Sequence, residues 1–369
     1  MEVSTTKNSI DGDYNRAKEV NEFDETKAGV KGLADAGITS IPRIFINPPE
    51  KLQKSSNTTR QIPIVDLKGF ENDGQRRHEI VNEIREASET WGFFQLVNHG
   101  VPDSVMDGMI EGIRRFHEQP AETKMEFYSR DRTQSVRYYS NEFLHSSKAA
   151  ANWEDSLSFA FKDDMVNPDV LPSVVRGEVE EYMKCIIKLK EQLCELLSEA
   201  LGLSSDYLGS IECMKSATFL CHYYPICPQP DLTLGLSQHT DLPFLTILLK
   251  DSIRGLQIRD QDQWVDVHPV PGALIANIGD FMQLITNDKF KSVEHRVLAR
   301  SVGPRISAAC FFYPSTRNIL KQYGPIKELL SDINPPMYKD VRFIDLVAVK
   351  DKRYGLNGIH SSVLPLFKL

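Results

Sequence analysis

The sequence predicts a mainly β protein with flanking α-helices: a double-stranded β-helix (jelly roll) core wrapped by N-terminal and C-terminal helices. Three observations carry this. Past Ala217 the chain becomes a series of short β-rich runs, TFLCHYYP, FLTILLK, GLQIRD, WVDVHP, ALIANIG, SVEHRVL and RISAACFFYP, separated by Gly, Pro and Asp. Closely spaced strands with turn residues between them belong to sandwiches and barrels. Ahead of them, apolar residues recur at helical spacing. A composition of 41% hydrophobic and 25% charged residues is that of an ordinary globular chain.

In chain order, residues 1 to about 27 are polar, lack sustained periodicity, and are expected to form a mobile tail ending in a short helix. The following VKGLADAGITSIPRIFINPP is more apolar and Pro-punctuated, KLQKSSNTTR has the composition of a solvated connector, and the folded body is expected to start near Gln61. There IPIVDL predicts a strand, RRHEIVNEIREASETWG an amphipathic helix stopped by Gly92, and FFQLVNHG a second strand. Val101 to about Tyr128 is expected to be helical. A long helix passes through Val179, Met183, Ile186, Leu189, Leu193, Leu197 and Leu201, with Gly202 as its stop. The expected organisation is a tail and extension over 1–60, a helical N-terminal domain over 61–170, and a scaffold helix and connector over 171–214. A jelly-roll domain over 215–315 and a C-terminal helical extension over 316–369 complete it.

A formal charge of -8 argues against nucleic acid or an anionic membrane surface as partner, because both select basic patches. No apolar run approaches the roughly 20 residues needed to span a bilayer. A small-molecule substrate and a monomeric chain are expected. The six Cys form no C-x-x-C pair, and the N-terminus has no basic segment followed by an apolar one, so a reduced, cytoplasmic protein is expected.

The chemistry gathers in the β region. In LSQHTDLPFLTILL, a run with the look of one buried β-strand, His239 and Asp241 stand two apart, and alternate residues of an extended chain share a face. Two donors are too few for a stable metal site. His295, expected mid-strand in SVEHRVL, offers the third from an opposite strand. Two His and one carboxylate form the facial triad of non-haem Fe(II) oxygenases, with three adjacent positions open; zinc sites more often use Cys or closely spaced His. Further on, Arg305 and Ser307 in GPRISAACFF share one strand face. A buried guanidinium is costly unless an anion answers it. A dicarboxylate cosubstrate would do so, as would an internal Asp or Glu, and Tyr224 in CHYYPICPQP offers a hydroxyl to the same carboxylate. Phe311 and Tyr313, by alternation with Ser307, and Phe159 after NWEDSLSF are candidates for a substrate wall, with core packing as the alternative. Asp280 and Gln283 are expected to support the metal ligands through hydrogen bonds. His99 and His117 are expected to be structural.

The order HYYPICPQPDLTLG, QHTD, NIGDFMQLITNDKFKSVEHRV and GPRIS closely resembles plant 2-oxoglutarate and Fe(II)-dependent dioxygenases. IPIVDL and GFFQLVNHGVP resemble the helical N-terminal domain of that family, so the likeness runs from about residue 30 to the C-terminus. The resemblance implies Fe(II) on His239, Asp241 and His295, with the far carboxylate of 2-oxoglutarate on Arg305, Ser307 and Tyr224. It also implies O2 as co-reactant and ascorbate as activator. The implied reaction oxidises a small plant specialised metabolite, by default through hydroxylation, with release of succinate and CO2. ETKAGVKGL, RFHEQ and YGPIKELL resemble the subgroup called 1-aminocyclopropane-1-carboxylate oxidase homologues, which includes desacetoxyvindoline 4-hydroxylase. Where flavonoid-acting relatives usually have Asn before Tyr-Tyr-Pro, this chain has His222, which argues against a flavonoid; His222 is a candidate for the substrate wall or for a supporting group near the metal. Two alternatives stand beside this one. An ascorbate-dependent ethylene-forming oxidase generally carries a Lys-Glu-Pro-Arg-Phe-like element near its C-terminus, absent from YKDVRFIDLVAVKDKRYGLNG. A non-catalytic jelly-roll binding protein has no evident need for His239, Asp241, His295 and Arg305 together.

Overall fold

Two nine-residue strands with alternating character form the spine of the molecule, Ser216–Tyr224 and Arg305–Tyr313, paired antiparallel along their whole length. The computed structural model describes residues 14–53, 60–72, 74–357 and 361–369. In chain order the elements are α1 (Arg16–Glu25), α2 (Gly29–Asp35), β1 (Ile64–Asp66), α3 (Gln75–Thr90), β2 (Phe93–Val97), α4 (Asp103–His117), α5 (Ala121–Met125), β3 (Val136–Tyr139) and β4 (Asp155–Phe161). There follow α6 (Arg176–Ala200), α7 (Tyr207–Ser210), β5 (Ser216–Tyr224), β6 (Leu234–His239), β7 (Leu245–Lys250), β8 (Leu256–Asp260), β9 (Gln263–Asp266) and β10 (Leu274–Ile278). The chain ends with α8 (Asp280–Ile285), β11 (His295–Leu298), β12 (Arg305–Tyr313), the ribbon β13 (Gln322–Tyr323) and β14 (Val341–Arg342), and α9 (Phe343–Asn357).

The strands make an eight-stranded sheet, β1-β2-β10-β7-β12-β5-β4-β3, and a four-stranded sheet, β6-β11-β8-β9. Together with the flanking helices they form the expected jelly roll. Alternation separates the two faces of the large sheet. Ile306, Ala308, Cys310 and Phe312 of β12, with Phe219, Cys221 and Tyr223 of β5, are buried in the main apolar core. There Tyr182 of α6 stacks on Phe219 at 5.5 Å between ring centroids, and Met183 Sδ lies 3.9 Å from Cys310 Sγ. The other face carries Arg305, Ser307, His222 and Tyr224 into a cavity against the smaller sheet. Among the described residues no helix is long and apolar enough to cross a membrane.

The seven expected β-rich runs each contain a strand, and the long helix ends at Ala200, just before the expected Gly202 stop. Gly92 ends α3 at φ 61°, and a Cβ there would lie 2.1 Å from the Lys291 carbonyl oxygen, so only glycine fits. Several expectations are corrected. LSQHTDLPFLTILL is not one strand: it breaks after His239, and β6 and β7 lie in different sheets. His295 opens β11 instead of standing inside it. The expected helix from Val101 to Tyr128 divides into α4 and α5 at Pro120, whose ring has no N–H to continue the ladder. Strands β3 and β4 are not expected from the sequence, because Asp155, Ser156 and Ser158 break up the apolar pattern of β4. The C-terminal segment combines a ribbon with α9.

The largest correction is at the N-terminus. Residues 1–13 and 54–59 lie outside the described residues, but 16–25 is a docked helix and the folded body begins well before Gln61. Val20 and Phe23 are one helical turn apart, too few for a periodic signal but enough for one buried face. They join Phe45 and Trp153 in a second apolar cluster, with Phe23 and Phe45 edge to face at 5.3 Å and Phe45 and Trp153 at 5.1 Å. Polar contacts fix the angle: Arg16 donates to the Ala149 carbonyl at 2.8 Å, and Glu19 accepts from the backbone N–H of Arg43 and Ile44 at 2.9 and 3.0 Å. Phe23→Ala is therefore expected to destabilise the protein by about 3 kcal/mol, in the range for emptying a buried Phe site. The check is a lower urea midpoint at unchanged slope; a loss under about 0.5 kcal/mol, the range of neutral surface changes, would return α1 to the status of a tail.

Candidate active site

The break after His239 builds the site. His239 closes β6 and is the direct cross-strand partner of His295, which opens β11; their rings lie 4.1 Å apart between centroids. Asp241 follows in the crossover to the large sheet, and its Oδ1 stands 3.6 Å from Nε2 of each imidazole. One ligand atom from each of the three residues lies within 4.8 Å of the others. Each ring is oriented by its other nitrogen: His239 Nδ1 is 2.9 Å from the Ser237 carbonyl and His295 Nδ1 is 3.2 Å from the Val293 carbonyl. A carbonyl only accepts, so both Nδ1 atoms carry hydrogen and both Nε2 lone pairs face the shared point. Burial, then repulsion from His295, pushes His239 down to about 3, keeping it neutral. Burial alone would raise the Asp241 carboxyl. The two imidazoles outweigh it, together with hydrogen bonds from Asn277 and Thr246, and hold it below its ordinary range. One carboxylate and two imidazoles converging through Nε2 suit a divalent cation.

Asp241 Oδ2 accepts from Asn277 Nδ2 and Thr246 Oγ1, both at 2.7 Å. These two residues, direct partners across β10 and β7, are the supports that the sequence did not single out. A signal was present: an Asn in the apolar run ALIANIG requires a polar partner when buried. The expected supports act elsewhere. Asp280 accepts from Thr240 Oγ1 at 3.1 Å and its backbone N–H donates to the Asp241 carbonyl at 2.7 Å, so it shapes the loop. Gln283 bonds Asp288 and the backbone N–H of Ser292 and touches no ligand side chain. Gly279 lets the crossover pass, since a Cβ there would lie 2.0 Å from the Pro243 carbonyl oxygen.

Arg305 is 1% exposed. It donates to Ser307 Oγ at 3.2 Å, and its guanidinium carbon lies 4.9 Å from the centre of the Tyr224 ring. Its Nε has no partner, and no carboxylate among the described residues lies within ion-pair distance of it, although its charge is felt by Asp251. Asp251 is engaged by the backbone N–H groups of Ile253 and Ile306 at 2.9 and 2.6 Å. The internal ion pair that would have explained Arg305 is thus absent among the described residues, and the buried guanidinium is left without a directly paired counter-charge. Burial pushes Tyr224 up to about 12, so its hydroxyl keeps its hydrogen.

The triad, Arg305, Ser307, Tyr224, His222 and Phe311 all line one cavity. His222 belongs to the large sheet, and its Nδ1 lies 2.9 Å from Ser156 Oγ and 3.3 Å from Glu154 Oε2. Two expected wall residues are not brought there. Phe159 is fully buried on the opposite face, stacked on Phe219 at 6.0 Å, because alternation puts Ser156 and Ser158 on the face of His222 and turns 159 away. Tyr313 shares the parity of Ser307, but six residues of strand carry it about 20 Å along β12. There it stacks on Phe343 at 5.6 Å, outside the cavity. His99, bonded to Gly272 and Val101, and His117, stacked on Tyr223, are structural as expected.

Residues 215–314 match the 2OG-Fe(II) oxygenase superfamily, and residues 62–174 match the N-terminal region described as non-haem dioxygenase in morphine synthesis. The chain is 52% identical to 1-aminocyclopropane-1-carboxylate oxidase homolog 11 of Arabidopsis thaliana, over 90% of this chain and 92% of that one. It is 47% identical to deacetoxyvindoline 4-hydroxylase of Catharanthus roseus, over 95% and 89%. Among solved structures, JOX2 in complex with 2OG, Fe and JA superposes with a TM-score of 0.77 at 32% identity, covering 92% of this chain and 97% of that one. Identity at this level over nearly whole chains extends well past shared architecture, and with it the protein is placed: it belongs to the 2-oxoglutarate and Fe(II)-dependent dioxygenases, as an enzyme of the non-haem iron type.

Proposed function

We propose that His239, Asp241 and His295 hold the iron, that Arg305 with Ser307 and Tyr224 holds the far carboxylate of 2-oxoglutarate, and that the enzyme hydroxylates a small plant specialised metabolite. The carrying observation is the buried, unpaired Arg305 opening on the same cavity as the three convergent ligand atoms. A deacetoxyvindoline hydroxylase among the relatives supports hydroxylation as the outcome, and the JOX2 complex with 2OG and Fe supports the cofactor pair. Bound iron with 2-oxoglutarate supplies O2 activation, and decarboxylation to succinate and CO2 accompanies oxidation of a substrate C–H bond. The chain's own residues do the rest. The Ser237 and Val293 carbonyls aim the imidazoles, Asn277 and Thr246 fix the carboxylate, and Arg305 sets the cosubstrate's direction while Tyr224 and Ser307 offer hydroxyls to its carboxylate. Leu236, Leu248 and Phe311 keep the cavity wall apolar, which excludes water from the reacting centre. The proposal extends to a monomer with the domain limits at 61–170, 171–214 and 215–315, acting in the cytoplasm; six free thiols, five of them buried, support a reducing compartment.

One Fe(II) per chain is expected, and His239→Ala, Asp241→Ala and His295→Ala should each abolish iron binding and turnover while leaving the circular dichroism spectrum intact. Near-full iron content and activity in any one of them removes that residue from the ligand set. Asn277→Leu and Thr246→Val should each weaken iron affinity by about 10- to 100-fold, the range for losing an outer hydrogen bond to a metal ligand. Unchanged affinity in both would show that Asp241 needs no such support.

Arg305→Leu removes a charge-assisted contact worth roughly 1.5 to 3 kcal/mol, so KM for 2-oxoglutarate should rise by about 10- to 150-fold. Iron binding should survive. Turnover of the parent with ascorbate and bicarbonate alone, without succinate, would overturn the cosubstrate assignment and spare the triad.

A further inference from the structure

The crossover between β6 and β7 carries Asp241 together with a run of backbone carbonyls, and the start of α8 answers those from Asp241 to Phe244. The backbone N–H of Asp280 donates to the Asp241 carbonyl at 2.7 Å, that of Phe281 to Leu242 and Pro243 at 3.0 and 3.3 Å, and that of Gly279 to Phe244 at 3.0 Å. The first N–H groups of a helix have no partner within it, so each side satisfies the other. The Thr240 carbonyl, between His239 and Asp241, falls outside this series. No backbone N–H among the described residues reaches it. Thr240 is 3% exposed, and a carbonyl so placed requires a donor from elsewhere. That donor is Lys350 Nζ of α9, 110 residues further along the chain.

Helix α9 is anchored on both sides of Lys350. Toward its start, Phe343 lies 5.3 Å from Phe281 of α8 between ring centroids and stacks on Tyr313, and Leu346 is fully buried in the main core. Toward its end, Tyr354 packs on Phe143 at 4.1 Å and Asp351 pairs with Arg132. The helix is therefore held against the same α8 that grips the crossover. Lys350 reaches from that fixed base to the one crossover carbonyl that α8 leaves unanswered.

The contact bears on the metal site because of where that carbonyl sits. Two planar peptide units meet at the Asp241 Cα, and their orientations set the direction in which the side chain leaves the backbone. The unit after Asp241 is held through its carbonyl by the Asp280 N–H, and the unit before it is held through the Thr240 carbonyl by Lys350. Asn277 and Thr246 fix the far end of the same side chain. A site of this kind works only when its groups are held to within about 0.5 Å, so a freely turning peptide before Asp241 would degrade it. We infer that Lys350 is a positioning residue of the metal site, fixing the peptide that precedes Asp241 and so coupling the docking of α9 to the convergence of the three ligand atoms. This rests on the proposed function, because it takes those atoms to hold the metal.

The test is the Mn(II) affinity of the metal-free full chain by calorimetry, with the visible absorption of the Co(II)-loaded protein as a second readout. Lys350→Met removes the donor and keeps the arm; it is expected to bind Mn(II) about tenfold or more weakly and to alter the Co(II) spectrum, at unchanged circular dichroism. Lys350→Arg, which still donates to the carbonyl, should restore most of the affinity. Asp351→Asn loosens α9 at Arg132 without touching Thr240 and should bind Mn(II) as the parent does. Parent-like affinity in Lys350→Met overturns the inference and leaves the lysine with a structural role alone. A loss that Lys350→Arg fails to restore, or that Asp351→Asn reproduces, overturns it as well. Where Lys350→Met does not fold, Lys350→Gln, with an arm one atom shorter, takes its place with the same two outcomes. Failure of the parent chain itself to bind Mn(II) would instead bring down the proposed function.

Discussion

The carboxylate of Asp241 is the point on which the two sheets converge, and the rest of the site depends on it. Its Oδ2 is held by Asn277 and Thr246, both on the large sheet, while its Oδ1 faces two imidazoles from the small one. A metal bound there would tie the sheets together through one residue. The geometry requires the chain to leave β6, cross and enter β7 within five residues, 240 to 244. That crossing is close-packed: the backbone N–H of Asp280 bonds the Asp241 carbonyl, and only the absence of a side chain at Gly279 lets Pro243 pass. Small movements there would spoil the convergence of the three ligand atoms, so the crossover carries tight packing where a surface loop would carry none.

A second constraint is the division of labour between the faces of the eight-stranded sheet. Its helix-covered face is apolar, and α6 packs along it. The opposite face carries Glu154, Ser156, His222, Tyr224, Arg305 and Ser307 in two adjacent rows of the β4, β5 and β12 pairings. Burying so many polar groups is unfavourable, and the apolar face and the second cluster around Trp153 and Phe45 supply the compensating burial. Within that face the Arg305 guanidinium is packed against the Tyr224 ring.

Much of the site was legible because its residues stand out of character with their strands. His239, His295 and Arg305 are polar residues in β-rich runs, and period-two alternation places Arg305 and Ser307 on one face without any knowledge of partners. The same alternation misplaced Phe159, since parity within one strand says nothing about which face is the cavity until a neighbouring strand is known. Tyr313 had the right parity and the wrong distance. Asn277 and Thr246 were passed over because each is ordinary alone and becomes a support only where β10 and β7 align them. The docking of helix α1 escaped for a related reason: Val20 and Phe23 make one turn of apolar surface, and their partners Phe45 and Trp153 lie far along the chain.

The sequence by itself determined the fold class, the identity of the three ligand-type residues and the strand that carries Arg305 and Ser307, since alternation, turn residues and side-chain chemistry are local properties. Only the tertiary structure decided that His239 and Asp241 sit on either side of a sheet-to-sheet crossing, and that Arg305 is left without an internal carboxylate. It alone brought Glu154 and Ser156 to His222 and brought the N-terminal helix onto the body. Each of these depends on which distant strand lies alongside, and pairing between remote segments is settled by the burial of the whole core, a quantity no short stretch of sequence contains.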